Sequence, residues 1–209
     1  MEDSKKYIQQ AVVSIGSNLC DEEKKFLQTR TQMIKKSLET ALGMSLQDNQ
    51  VPRIALCASG GGNRAMLTTL GALDGGTIPN TSLNIMDICT YFSTLSGSTW
   101  ALTGLEYSKM PPGDFIDHLA QHMYQGILDD FNMQDLVLEL KKKEMNNQPT
   151  SFVNVYGILL AQKILKGLGA DHPSAIELTC CTAIFDEAKM PLSIKTSVIG
   201  NNDLNEWTE

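Results

Sequence analysis

The stretch Pro52-Arg53-Ile54-Ala55-Leu56-Cys57-Ala58-Ser59-Gly60-Gly61-Gly62-Asn63-Arg64-Ala65-Met66 decides the fold. Ile54–Ala58 is a short apolar run between Pro52 and a glycine cluster, as expected of a buried strand. A helix is predicted from Arg64 to about Leu73, so the unit reads strand, tight glycine turn, helix. Consecutive glycines let the backbone approach a ligand closely, and a helix N-terminus adds its positive dipole end. Such a turn suits an anion or a developing oxyanion.

Outward from this unit, Ile88–Leu95 reads as a second buried strand and Ser98–Tyr107 as a helix starting at once behind it. Two successive strand–turn–helix units predict an α/β fold. The second junction carries Leu95-Ser96-Gly97-Ser98. Alone, this tetrapeptide fits an ordinary turn or a helix-capping serine. Behind a glycine-rich loop in the same context it reads as a nucleophile elbow, with the Ser96 hydroxyl exposed at the sheet edge. Ser96 would attack an ester carbonyl, and N–H groups of the glycine loop would stabilise the charge that develops on oxygen.

A serine nucleophile needs a base, and the three histidines, His118, His122 and His172, sit in no motif that suggests a triad. His118 and His122 are four apart on a predicted helix, but Leu119 stands where an H-E-x-x-H zinc site needs glutamate, so no metal site is expected. Gly60–Ala65 also fits G-x-G-x-x-A, the dinucleotide fingerprint. That fingerprint needs an acid about 20 residues on, at the end of a second strand. Asp74 falls too early and Asp87 precedes the next apolar run, so nucleotide binding stands as a second alternative. A P-loop lacks its Lys-Ser/Thr pair here.

Residues 22–42 place Phe26, Met33, Ile34, Leu38, Ala41 and Leu42 on one helical face, with Asp21 placed to cap the start and Gly43 the end. The opposite face carries Lys24, Lys25, Arg30, Lys35 and Lys36, either solvated or turned toward anionic lipid. Helical spacing runs from Gly113 to Lys143 and again from Phe152 to Leu168, and Pro191–Ile199 reads as a later strand. With no repeat or linker, residues 1–209 form one domain: a leading helix at 21–43, a core at 52–107 and a helical region with a later strand at 108–209.

The 209 residues are 42% hydrophobic and 20% charged, the ordinary globular range. A net charge of -7 provides no basic footprint for nucleic acid. The first ten residues lack a signal-peptide core, and no apolar run approaches a membrane span, so a cytosolic protein is expected. Five cysteines (Cys20, Cys57, Cys89, Cys180, Cys181) without a C-x-x-C pair read as reduced, buried small hydrophobes.

Pro52–Met66 together with Tyr91–Leu105, YFSTLSGSTWALTGL, closely resembles the two signature blocks of cytosolic (group IV) phospholipases A2. Asp21–Phe26 looks like that family's helix ahead of the catalytic core, Ser151–Gly157 like a later family segment, and Pro191–Glu209 like the approach to an aromatic W-x-E-F-x-P motif. The resemblance implies an α/β-hydrolase-like three-layer catalytic domain, here in part, hydrolysing the acyl ester of glycerophospholipids or lysophospholipids at a membrane surface without a cofactor. It implies Ser96 as nucleophile, Gly61 and Gly62 as oxyanion donors, and Arg64 as the holder of the substrate phosphate through its planar fork.

The family uses a Ser–Asp dyad whose aspartate lies in a later D-G/A-G motif. The chain stops before such a motif, so a truncated, inactive fragment is expected, with a non-catalytic lipid-binding or regulatory piece as the alternative. Asp74-Gly75-Gly76 is read as a helix end rather than that acid. No C2-like β domain or calcium site precedes the core, which points to the gamma-like branch. The family pattern is G-x-S-G-S, whereas Thr94 stands at its first position, where a β-branched residue is expected to crowd the turn.

Overall fold

The computed structural model describes residues 16–78, 81–129, 131–168, 187–197, 199–200 and 207–208. Helix α1 (Asp21–Leu42) leads into β1 (Ile54–Ala58), α2 (Gly62–Asp74), a single turn α3 (Ile85–Ile88) and β2 (Cys89–Leu95). Then follow α4 (Gly97–Ser108), α5 (Pro112–His122), α6 (Met133–Met145), α7 (Phe152–Ile164) and β3 (Leu192–Thr196). Two-residue strands β4 (Ile199–Gly200) and β5 (Trp207–Thr208) pair antiparallel.

The main sheet runs β1-β2-β3, and both pairings are parallel. Parallel neighbours need a crossover connection. α2 supplies the first crossover and the helices from α4 to α7 lie in the second. The alternation of β2 then sorts the layers. Phe92 packs with Met66, Leu70, Ala101, Leu102 and Phe115 from α2, α4 and α5, the largest core. On the other face Tyr91 and Leu192 meet Phe26 and Leu27 of α1. Helices therefore cover both sides of a parallel sheet, an α/β arrangement.

Local chemistry explains most helix ends. Gly43 closes α1 in the left-handed region, φ 65°. Asn84 caps α3, and the Asp87 carboxylate accepts the Asn84 N–H at 2.8 Å. Asn132 accepts from the N–H groups of Gln134 and Asp135 at the start of α6. Pro112 opens α5 at its first helical residue, where a missing N–H costs nothing.

Several sequence expectations are corrected. Asp21 is the first helical residue, and Cys20 occupies the capping position without a side-chain bond. Leu42 is exposed, whereas Leu27 joins the buried face. Arg30 leaves the polar face altogether: it is 1% exposed and its guanidinium donates to the carbonyls of Cys89 (2.9 and 2.7 Å), Ala188 (3.0 Å), Lys189 (3.2 Å) and Met86. Burial pulls its pKa below the ordinary arginine value, and Asp87 and then Cys89 oppose that shift. The helical run 113–143 breaks at Met123, because residues 123–129 form bends and turns before Asn132 restarts a helix.

Cysteines divide as well. Cys89 is buried, but Cys20 and Cys57 are exposed, Cys57 on the β1 face opposite the Leu56 and Ala58 side chains that join the largest core. Cys180, Cys181 and His172 lie outside the described residues. Among the described residues no helix is long and apolar enough to cross a membrane.

Candidate active site

Ser96 sits between β2 and α4 with φ 53° and ψ -121°. A positive φ is uncommon for a residue with a side chain and stores about 1–3 kcal/mol of strain. The turn survives because both flanks are over-determined. Ahead of it β2 is clamped between two strands. Behind it the N–H groups of Thr99 and Trp100 donate to the Ser96 carbonyl at 2.8 and 3.3 Å. The Ser96 side chain is thereby left exposed.

The glycine loop lies against this turn. Gly61 caps α2 with φ 144°, and Gly62, the first helical residue, has φ 62°. Their N–H groups belong to the helix start, where no intrahelical acceptor exists. A Cβ built on Gly60 would come within 2.9 Å of the Ser96 Cβ, so loop and serine are in direct contact. A Cβ on Gly97 would penetrate the Gly62 carbonyl, lying only 2.7 Å from its carbon. Gly97→Ala is therefore expected to push the two turns apart, at a cost of about 1–3 kcal/mol and about 100-fold in any reaction that needs both. A urea midpoint and the labelling rate of Ser96 would check this; an unchanged pair would mean that the turns do not act together.

Two cavities flank the contact. One of about 650 Å³ runs along β1 and α2, lined by Ser59, Gly60, Gly61 and Arg64 at one end and by apolar Leu56, Leu73 and Phe92. Ser96 faces a second, more open one of about 450 Å³ with Leu95, Thr99, Trp100, Thr196 and Ser197. Arg64 projects from the first turn of α2, exposed and without an ion pair among the described residues.

Thr94 does not crowd the turn. Its side chain is buried on the same face of β2 as Phe92, where the Thr99 hydroxyl donates to its own at 3.1 Å, and the Thr196 hydroxyl donates to its carbonyl at 2.8 Å. Thr196 and Trp100 are site-lining residues that the sequence pattern did not single out, since they reach the serine only through β3 pairing and one helical turn.

Asp74 ends α2 as its thirteenth residue and so lies about 18 Å along the helix from the glycine loop. A Cβ on Gly113 would meet its carboxylate, which places Asp74 at the start of α5. Gly75 does follow the helix as its cap, but in right-handed geometry, φ -76°. His118 stacks between Phe115 and His122 and its Nε2 lies 3.2 Å from the Ile164 carbonyl. Among the described residues no histidine, lysine or carboxylate hydrogen-bonds to Ser96, and no three His, Cys, Asp or Glu side chains converge as metal ligands. β2 ends in Ser93, Thr94 and Leu95 and carries no acid, which removes the ribose-binding carboxylate of the dinucleotide reading.

Fold and site define an α/β domain in which an exposed, strained serine turn abuts a glycine-rich helix start. Comparison with known proteins narrows this class: residues 54–207 match the lysophospholipase catalytic domain. The chain belongs to that family, as a part of a cytosolic phospholipase A2 catalytic domain. It is 32% identical over 216 residues to human cytosolic phospholipase A2 delta, covering 96% of this chain and 25% of the relative. Human cytosolic phospholipase A2 zeta is 30% identical, with 93% and 24% covered. The solved structure of human GIVD cytosolic phospholipase A2 superposes with a TM-score of 0.72 at 31% identity, over 91% of this chain and 25% of that one. Another, in complex with methyl gamma-linolenyl fluorophosphonate, gives 0.72 at 29% identity, over 96% and 29%. The chain thus spans about a quarter of the length of the relatives it matches.

Proposed function

We propose that this chain carries the nucleophile half of a phospholipase A2 or lysophospholipase site in an α/β-hydrolase-like domain. The observation that supports this most is the contact between the strained Ser96 turn and the glycine loop. Ser96 Oγ adds to the acyl carbonyl carbon as its proton passes to a base and the carbonyl oxygen takes up the negative charge. The oxyanion then collapses, the ester C–O bond breaks, and the deacylated phospholipid leaves as an alcohol on taking that proton, so that the acyl-enzyme forms and water hydrolyses it. Gly61 and Gly62 offer N–H groups to that oxygen, and Arg64 offers its free guanidinium to the phosphate of the glycerophospholipid. The base in this reading is an aspartate rather than a histidine, and the chemical step needs no cofactor. The test is reaction with an alkyl fluorophosphonate, a probe suggested by the complex of the GIVD relative. An adduct mapped to Ser96 is expected once the aspartate base is supplied, whereas a folded but unreactive chain on its own would be an incomplete enzyme; no adduct even with the base would leave the site as a binding module.

The substrate class calls for a lipid surface, and one part of the molecule suits it. The α6–α7 hairpin exposes Met145 (83%), Phe152 (92%) and Val153, next to Lys141 and Lys142, in a chain of net charge -7. One turn along α7, Tyr156 shares a small cavity with Asn63 of the glycine-loop helix. We read the protein as cytosolic and transiently bound to membranes through this tip. Replacing both Phe152 and Val153 by serine should lower partition onto phosphatidylserine-containing vesicles by about tenfold or more, since each apolar side chain contributes about 1.5–3 kcal/mol when buried. Unchanged sedimentation with vesicles would place the lipid-facing surface elsewhere.

A further inference from the structure

Between the two turns runs a buried hydroxyl chain that the reaction as described does not use. Ser98, in the first turn of α4, is 0% exposed. Its hydroxyl donates to the carbonyl of Ser59, the residue before the glycine loop. Its oxygen also lies 2.9 Å from the Thr69 hydroxyl, itself buried in α2. A carbonyl can only accept, and Ser98 has one proton, so that proton goes to Ser59 and Thr69 must donate to Ser98. The chain of donors is Thr69, then Ser98, then the Ser59 carbonyl, with each bond polarising the next.

We propose that Ser98, supported by Thr69, is a positioning residue that sets the glycine loop in register with Ser96. The inference rests on the reading of Ser96 as nucleophile and deepens it. A peptide unit is planar. Fixing the Ser59 carbonyl therefore fixes the Gly60 N–H and the plane from which Gly61 and Gly62 follow. Glycines cannot hold that plane themselves, because without a Cβ they sample φ of either sign. Ser98 is two residues from Ser96 on the rigid start of α4, so the loop is indexed to the very helix that carries the nucleophile. Steric contact at Gly97 stops the turns from approaching further, and the Ser98 bond stops them from separating or rotating.

The test compares Ser98→Ala, Thr69→Val and Thr69→Ser with the parent protein, all in a form that also supplies the aspartate base. The readouts are fluorophosphonate labelling kinetics, thermal melting and the amide NMR resonances of Gly60–Gly62. Ser98→Ala should lower the maximal labelling rate by about 10–100-fold, with half-saturation within about twofold and with doubled or broadened glycine resonances. Thr69→Val should show a smaller loss of the same kind, and Thr69→Ser, which restores the donor, should regain the parental rate. A parental rate in Ser98→Ala, or no rescue by Thr69→Ser, would overturn the inference. A parent protein that never labels at Ser96 would instead overturn the nucleophile reading, and unmoved glycine resonances in Ser98→Ala would then decide against the positioning role by themselves.

Discussion

In a protein that also supplies the aspartate base, Ser96→Ala is expected to abolish fatty-acid release from phospholipid vesicles, by about 10⁴-fold or more, while leaving the fold in place. Of the hydroxyls beside it, those of Thr94, Ser98, Thr99 and Thr196 are turned into hydrogen bonds with the protein. Alanine keeps the Cβ and therefore keeps the strain at φ 53°, so the melting temperature should stay close to that of the parent. Ser96→Gly separates the two effects. Glycine enters the left-handed region without a steric penalty. It should raise stability by about 1 kcal/mol or a few degrees and be equally inactive. A protein stabilised by losing its reactive serine is the signature of strain held for function. If Ser96→Ala retained turnover, the nucleophile would lie elsewhere; if Ser96→Gly melted lower, the turn would not be strained.

What made this site legible was its locality. The Ile54–Ala58 strand, the glycine turn and the helix behind it are adjacent in sequence, and each is specified by its own residues: apolar run, glycines, helix formers. The second unit, with Ser96 at its junction, is local in the same sense, and its predicted strand differs only in that Ile88 belongs to the preceding helical turn. The stacking of the two turns was less legible. It depends on β1 and β2 lying side by side in parallel, which pairs Ala58 with Thr94 and so brings both strand ends to one edge. Ser98 stood in the quoted tetrapeptide, but nothing local distinguishes a serine that caps its own helix from one that reaches back to residue 59.

Arg30 shows the same limit in reverse. Helical periodicity places it with Lys24, Lys25, Lys35 and Lys36, and a charged residue on a polar face is ordinarily solvated. What overrides the pattern is a concentration of backbone acceptors supplied from far away in the chain: Met86 at α3, Cys89 where β2 begins, and Ala188 and Lys189 ahead of β3. A strand beginning and a turn both leave carbonyls without sheet or helix partners, and these face the underside of α1. Lysine cannot answer them, since its donors radiate from one nitrogen, whereas the guanidinium fork reaches several acceptors in one plane.

Arg30→Met should consequently destabilise the protein by about 3–5 kcal/mol, among the largest effects of any single change away from the sheet. Methionine matches the aliphatic stem, so the packing around Phe26, Leu27 and Ile34 is kept and the loss reports the stranded carbonyls. Each buried acceptor without a donor costs about 1–3 kcal/mol, and some will find water once the cation is gone. Arg30→Lys should recover part of the loss, because its ammonium can answer the Cys89 carbonyl but not those of Met86 and Ala188 together. The measurement is the urea midpoint of each variant with its slope. A slope unchanged from the parent assigns the loss to the native state. Because α1 would lose its hold on the start of β2, the loosening should reach Ser96 through that strand, and Arg30→Met should label more slowly than its stability alone explains. Parental stability in Arg30→Met would mean that water replaces the guanidinium at no cost, and that α1 is held by its apolar face alone.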